Sequence, residues 1–159
     1  MKSYYFKLYA DYHQFYVEDA SSNPITAASP DFWNERSHRD GFAFARDMVS
    51  VGTARYGNVV VTVTIRDDEP DDETESWDHV VDAGIEVPSG TLVVRGCTES
   101  GEDAEKIFVA PGHYRLRVFY GNLEVDDRDA EEGDDHYKVV LWPGAWQEPQ
   151  VLKRFEGNE

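Results

Sequence analysis

Residues 111–125 read Pro-Gly-His-Tyr-Arg-Leu-Arg-Val-Phe-Tyr-Gly-Asn-Leu-Glu-Val, and this stretch decides the fold predicted for the chain. A Pro-Gly turn opens it, and large apolar side chains then recur at every second position. A period of two is the period of a β-strand, in which successive side chains point to opposite faces of a sheet. We therefore predict a strand with one face toward a core, formed by Tyr114, Leu116, Val118 and Tyr120. Arg115 and Arg117 would face water or a neighbouring strand.

The same combination of a turn and a short apolar run recurs along the chain. The run from Val59 to Arg66 is the richest in β-branched residues, which favour strands. Further strands are predicted at residues 4–9, 12–17, 42–44, 48–53, 77–87, 91–97, 106–109, 136–142 and 150–155. Many short strands separated by Gly/Pro turns are typical of an all-β fold, so we expect a single-domain antiparallel β-sandwich over residues 1–159.

Only one helix is expected, near residues 30–40. Ser29 is placed to cap it, Pro30 suits the first helical position, and the helix should stop before Gly41.

The composition indicates a folded chain and excludes several classes of protein. Hydrophobic residues make up 40% of the 159 residues and aromatic residues 13%, which is too much for a disordered chain. No apolar run approaches the roughly 18 residues of a membrane-spanning helix, and the first residues do not resemble a signal peptide. Cys97 is the only cysteine, so an internal disulfide is impossible, and we expect a cytoplasmic protein.

The formal charge of −17 is the strongest functional signal in the sequence. Nucleic acid and anionic membranes are poor partners for such a chain, whereas a basic protein or a cation is a natural complement. Residues 67–78 and 124–135 carry most of the excess, since together they hold sixteen acids and one basic residue, Arg128. We predict that acids of these segments bind the partner. The candidates are Asp67, Asp68, Glu69, Asp71, Asp72, Glu73, Glu75, Asp126, Asp127, Asp129, Glu131, Glu132, Asp134 and Asp135.

The order of strands predicts where the acidic segments lie. If each connection reverses the direction of the chain, the loops 67–76, 98–105 and 124–135 share one pole of the sandwich, and the other pole has tight neutral turns. An acidic pole of this kind suits docking of a basic partner with electrostatic steering, or it serves only as a set of solvated loops that keep the protein soluble.

A calcium site built from the same loop carboxylates is the main alternative, because calcium binds oxygen ligands. An EF-hand does not fit the sequence. Counted from Asp127, Gly133 falls one place late, and Lys138 stands where the bidentate glutamate belongs. A site assembled from several loops stays open, and the sequence assigns no metal residue and no cofactor.

Catalysis has only weak candidates. His79 and His136 each follow an aspartate and could act together as acid and base, although hydrogen-bonded histidines at strand ends fit the pattern better. Cys97 would lie at an acidic pole and lack the cationic neighbours that activate a thiol. No nucleophile elbow, P-loop or dinucleotide motif is present, so we predict no enzymatic activity and no catalytic residues.

Several motifs are similar to those of a known family. Residues 11–17 read Asp-Tyr-His-Gln-Phe-Tyr-Val, and they are followed by a proline-containing loop, a short helix with Trp33 and an exit at Gly41-Phe42. With Val87-Pro88 and the Pro111–Leu116 stretch, these motifs resemble the competence protein J family, the inhibitors of a DNA-entry nuclease. The second half is closer to a set of small uncharacterised bacterial proteins, on the motifs Trp77–Val81, Gly96-Cys97-Thr98, Gly133–Tyr137 and Leu141-Trp142-Pro143.

The resemblance implies a small non-catalytic inhibitor or immunity-type protein. The charge points in the same direction, because nucleases and other DNA-acting toxins have basic clefts that an acidic surface can block. We therefore expect this chain to neutralise a basic nuclease or toxin by binding it, with a calcium-dependent binding module as the alternative.

Overall fold

Short strands make up about half of the described residues of the structure, a computed structural model that describes residues 1–99 and 104–156. They follow from runs of β-branched and aromatic residues interrupted by turn residues. In chain order the strands are β1 (Lys2–Tyr9), β2 (Gln14–Asp19), β3 (Phe42–Ala45), β4 (Met48–Gly52), β5 (Asn58–Ile65), β6 (His79–Val87), β7 (Thr91–Gly96), β8 (Glu105–Phe108), β9 (Gly112–Gly121), β10 (His136–Pro143) and β11 (Gln150–Lys153).

The strands form two sheets. β1, β5, β10, β9, β6 and β11 lie side by side in that order, and β3, β4, β2, β7 and β8 form the second sheet. Among the described residues every neighbouring pair is antiparallel except β5 and β10, which run parallel. Apolar faces of both sheets enclose one core, so the predicted all-β sandwich is confirmed.

The strand that decides the fold lies near the middle of the six-stranded sheet. β9 pairs with β6 on one side and with β10 on the other. Its alternate side chains enter the main core as predicted, and all four are at most 5% exposed: Tyr114, Leu116, Val118 and Tyr120. Burial of each such side chain contributes about 1.5–3 kcal/mol, which is why this alternation fixes the register of the strand.

The helix α1 (Glu35–Asp40) is shorter than predicted, and Ser29 does not cap it. Asn34 is the N-cap, with its side chain accepting a hydrogen bond from the backbone N–H of Ser37 at 2.9 Å. Gly41 ends the helix in the left-handed conformation, as expected for a C-terminal glycine. No helix of the described residues is long and apolar enough to cross a membrane.

The connection from β5 to β6 does not reverse the chain. β5 runs parallel to β10, and both β10 and β6 are antiparallel to β9, so β5 and β6 point the same way. Residues 66–78, which we call the crossing segment, therefore leave the sheet at the end marked by Ile65. They return to the other end, where Asn58 begins β5 and His79 begins β6.

This topology corrects the predicted single acidic pole. The loop 124–135 joins β9 to β10 at the Asn58 end, whereas residues 67–76 pass over a face of the sheet. The start of the 98–105 loop also lies at the Asn58 end, because Thr98 donates to the Asp11 carboxylate beside it. Residues 100–103 of that loop lie outside the described residues.

Candidate partner-binding surface

The crossing segment lies over a second hydrophobic cluster on the outer face of the six-stranded sheet. Trp77 packs against Phe119 with ring centroids 5.5 Å apart, and Val80, Val140 and Trp142 complete the buried patch. These residues alternate along their strands with those of the main core. The outer face therefore carries an apolar patch, and this patch gives the crossing segment a surface to pack on.

Basic side chains of the sheet also hold the crossing segment. The Lys138 ammonium lies 3.1 Å from the Glu73 carboxylate, and the Arg117 guanidinium lies 3.8 Å from the Glu69 carboxylate. Glu73 is half-buried as a result, while Glu69 stays exposed. These contacts anchor the segment and leave most of its carboxylates facing outward.

The end loop, which comprises residues 122–135, is organised from inside by Arg55. This arginine is 1% exposed, and its guanidinium donates to the carbonyl oxygens of Ala130 at 2.8 Å and Asn58 at 2.6 Å. Its Nε lies 2.5 Å from the Asp135 carboxylate. One buried cation therefore satisfies two groups of the end loop and one group at the start of β5.

Asp135 was wrongly predicted to bind the partner. Its carboxylate is buried between Arg55 and Tyr137, whose hydroxyl donates to it at 2.7 Å. A carboxylate in this position is satisfied within the protein and is closed to an external cation. Glu132 is exposed but forms an ion pair with Lys7.

Twelve of the fourteen predicted residues are exposed, and they form two acidic surfaces. On the crossing segment these are Asp67, Asp68, Glu69, Asp71, Asp72 and Glu75; on the end loop they are Asp126, Asp127, Asp129, Glu131, Glu132 and Asp134. The first set covers a face of the sandwich and the second set covers one end, so the structure brings each set together separately.

Carboxylates in the described part of the chain do not converge as metal ligands do. Within residues 1–99 and 104–156 there is no group of three or more histidine, cysteine, aspartate or glutamate side chains that could hold a metal ion. The exposed acids point into solvent or toward basic side chains.

The two histidines considered for catalysis lie on opposite faces of the six-stranded sheet. His79 packs edge-on against Tyr120 of the core, and His136 stacks near Trp77 on the outer face, with ring centroids 4.7 and 4.9 Å apart respectively. They cannot act as a pair in this arrangement.

Both ring nitrogens of His79 are used by the backbone. The N–H of Phe155 donates to Nδ1 at 3.0 Å, so Nε2 carries the proton and donates to the carbonyl oxygen of Asp40 at 2.7 Å. Burial lowers the pKa of His79 below its usual 6.5, and the nearby Arg154 cation lowers it further. The ring is neutral and structural.

A cleft of about 910 Å³ opens at the Asn58 end, between the end of α1 and the end loop. Trp33, His79 and Tyr120 line its interior, and Tyr12 and Asp126 lie among its lining residues on the side of the end loop. The Tyr120 hydroxyl donates to the carbonyl oxygen of Gly41 at 2.6 Å, and burial raises its pKa well above 10. His79 and Tyr120 are therefore held in place by hydrogen bonds to the backbone.

Sequence reasoning missed a group of tyrosines beside this cleft. Tyr9 and Tyr12 each pack edge-on against Tyr56, with ring centroids 5.8 and 5.9 Å apart, and all three remain at least partly exposed. The sequence pattern places Tyr9 and Tyr12 in predicted strands and Tyr56 in none. No sequence signal identifies this group, because the turn at Asp11–His13 and the contact of Tyr12 with Tyr56 arise only in the folded chain.

The fold and these surfaces can be compared with known proteins. A family model described as competence protein J (ComJ) matches residues 7–141. This chain belongs to the competence protein J family. The resemblance seen in the sequence is therefore confirmed. A search of curated proteins finds no match.

Two solved structures share the fold of this ComJ family member. One is described as ComJ, inhibitor of the DNA degrading activity of NucA, from Bacillus subtilis; it has a TM-score of 0.67 and 19% identity, and the match covers 89% of this chain and 96% of the other. The second is described as crocagin biosynthetic gene J, with a TM-score of 0.64, 23% identity and coverage of 91% and 98%. At these identities the likeness concerns the fold.

Proposed function

We propose that this chain is a non-catalytic inhibitor that binds a DNA-degrading nuclease and blocks it. The observation that carries the proposal is the family match over residues 7–141, supported by a solved family structure described as an inhibitor of the DNA degrading activity of NucA. The nuclease is the natural class of partner for a chain with this fold and charge.

The acidic surfaces supply the physical basis of the inhibition. A nuclease that cleaves DNA presents basic side chains to phosphate, and exposed carboxylates compete for the same side chains. Close approach of opposite charges speeds encounter, and occlusion of the cleft then prevents DNA from entering. The inhibitor acts in stoichiometric amounts and changes no bond.

The end loop is the better placed of the two acidic surfaces. The crossing segment is partly neutralised by Arg117 and Lys138 of the sheet beneath it. The end loop adjoins the cleft and the exposed tyrosines, which offer apolar area that a carboxylate surface lacks. Interfaces combine such an aromatic centre with a charged rim.

The test is a DNA-cleavage assay with NucA and, in parallel, with the DNA-degrading fraction of an extract from the source cells of this protein. Purified wild-type protein is expected to slow cleavage with a one-to-one end point. If it slows neither activity at a large molar excess, the proposal is overturned.

Two variants with equal changes in charge locate the surface. One neutralises four end-loop acids as Asp126→Asn, Asp127→Asn, Asp129→Asn and Glu131→Gln. The other neutralises four acids of the crossing segment as Asp67→Asn, Asp71→Asn, Asp72→Asn and Glu75→Gln. We expect inhibition to weaken at least tenfold in the first variant and much less in the second. Equal losses would show that net charge alone matters.

A further inference from the structure

Three tyrosines form a partly exposed aromatic patch at the Asn58 end of the sandwich. Tyr9 is 47% exposed and Tyr12 is 64% exposed, and both pack edge-on against the ring of Tyr56. His13 also packs edge-on against Tyr56, with centroids 5.7 Å apart. Large aromatic side chains left in water are unfavourable unless something covers them, and tyrosine is enriched at protein interfaces.

The backbone beneath this patch adopts a costly conformation. Tyr12 and His13 are consecutive residues with φ of 58°, in the left-handed region that side chains other than glycine disfavour. Two backbone hydrogen bonds hold the turn. Thr53 N–H donates to the carbonyl oxygen of His13 at 2.8 Å, and Ala10 N–H donates to the carbonyl oxygen of Gly57 at 2.7 Å. The result is a tyrosine fixed outward on rigid backbone, which limits the ordering cost of binding.

The end loop is joined directly to the aromatic patch. Tyr56 N–H donates to the carbonyl oxygen of Arg128 at 2.7 Å, and Asn58 N–H donates to that of Glu131 at 2.8 Å. The end loop, which carries exposed acids and the exposed Arg128, therefore lies directly beside the tyrosines. These acids are Asp126, Asp127, Asp129 and Glu131.

We propose that this surface binds arginine side chains presented by a basic segment of the partner nuclease; the identity of the partner rests on the function proposed above. A guanidinium is flat, stacks on aromatic rings and pairs with carboxylates through two parallel hydrogen bonds. A lysine ammonium can also approach an aromatic ring, but it cannot stack flat on the ring or pair with a carboxylate through two fixed hydrogen bonds. Aromatic rings fixed beside exposed carboxylates thus select arginine over lysine.

The protein uses the same chemistry internally. The guanidinium of Arg95 lies 4.5 Å from the ring centroid of Tyr16, and its Nε lies 2.5 Å from the Glu18 carboxylate. Tyrosine and glutamate side by side hold an arginine there. The end surface offers the same two groups to an arginine from outside.

The first test needs no nuclease. A fluorescently labelled peptide of eight arginines and one of eight lysines are titrated with the full chain at fixed salt, and anisotropy reports binding. Because one stacked cation–π contact at an exposed site is worth about 0.5–1 kcal/mol, we expect the arginine peptide to bind about two- to fivefold tighter. Equal affinities for the two peptides would overturn the proposal.

Variants separate the tyrosines from the general negative charge. Tyr12→Asn with Tyr56→Ser removes two of the three rings, including the one that Tyr9 packs against, and keeps every carboxylate; asparagine tolerates the left-handed conformation. We expect this variant to lose the preference for arginine and to retain the weaker, salt-dependent binding of both peptides. Tyr12→Asn alone serves the same purpose if the double variant does not fold. Tyr5→Ser, which changes a 75% exposed tyrosine outside the patch, is the matched control and should keep the preference.

The same variants in the nuclease assay distinguish this proposal from the previous one. If the wild type inhibits the nuclease and the double variant inhibits it about 30-fold less, the inhibitor function and the arginine-binding surface are both supported, since such a loss is typical of an interface hot spot. If the double variant inhibits as well as the wild type, the arginine-binding surface is wrong and the inhibitor function remains. If the wild type prefers arginine peptides but slows no nuclease, the surface stands and the inhibitor function fails.

Discussion

Arg55 and Asp135 form an ion pair inside the protein, with 2.5 Å between Nε and the carboxylate and with both side chains at most 1% exposed. The two residues stand eighty positions apart and join the connection between β4 and β5 to the last residue of the end loop, directly before β10. Because Arg55 also donates to a carbonyl oxygen of the end loop, this pair determines how the acidic surface is held.

Replacement of Arg55 by methionine should destabilise the protein strongly. The change keeps most of the side-chain volume but leaves the Asp135 carboxylate buried without its cation, a defect that costs about 3–5 kcal/mol. Urea unfolding followed by tryptophan fluorescence measures the free energy of unfolding.

The matched control is the exposed ion pair between Lys7 and Glu132, in which both side chains are 58% exposed. Lys7→Met should leave the stability almost unchanged, since water solvates the remaining carboxylate. An equal loss in the two variants would show that burial is not what makes the Arg55 pair important.

The strands could be predicted from the sequence because their signal is local. Alternation along β9 identified both the strand and its core-facing side chains. The other predicted strands also overlap the observed ones in the same order along the chain. The crossing segment was missed because counting reversals treats each connection as a hairpin. Val80, Phe119 and Trp142 carried a contrary signal, since apolar residues on the second face of a strand indicate that something covers that face.

The candidate surface could be predicted only in part. Composition identified the acidic residues, but it does not distinguish the exposed Asp134 from the buried Asp135 beside it. The period of two separates them, because Asp135 shares the inward side of β10 with Tyr137 and Val139. The aromatic patch depends on Tyr12 and Tyr56 meeting across the fold, which no local pattern encodes.

The stability of the protein should fall between pH 7.5 and pH 5.5, in part because of His79. Burial lowers the pKa of His79 in the folded state below 6.5. As the pH falls, the unfolded chain therefore binds a proton on this ring before the folded chain does. The contribution is fully present above pH 6.5 and is lost as the pH falls toward the folded pKa. The slope from one proton is at most about 1.4 kcal/mol per pH unit.

Urea unfolding of the His79→Gln variant at several pH values measures this contribution. The variant should be less stable at pH 7.5, because a neutral hydrogen-bonded ring is lost, but its stability should change less with pH. His113→Gln, at a ring that is 62% exposed, is the control and should retain the slope of the wild type. An unchanged slope in the His79 variant would contradict the assignment.

Calcium should not stabilise the protein. The described residues contain no group of three acidic or histidine ligands, and Glu73 already pairs with Lys138. We expect the melting temperature to be the same in millimolar calcium and in a chelator, because a ligand stabilises only when it binds the folded state. A rise of several degrees that is reversed by the chelator would favour the calcium-binding alternative.

The rate at which the protein associates with the proposed nuclease partner should fall as salt is added, and the end loop should account for most of that dependence. Raising the ionic strength from about 10 to 150 mM shortens the screening length from about 30 to 8 Å, which removes steering between separated charges. Surface-bound nuclease and a flow-cell sensor give the rate at each salt concentration. The association rate should depend less steeply on salt in the variant that neutralises Asp126, Asp127, Asp129 and Glu131. The variant with the equal change of charge on the crossing segment should keep a slope closer to that of the wild type. If the slope becomes shallower by the same amount in both variants, the salt dependence comes from the net charge of −17 and not from the end loop.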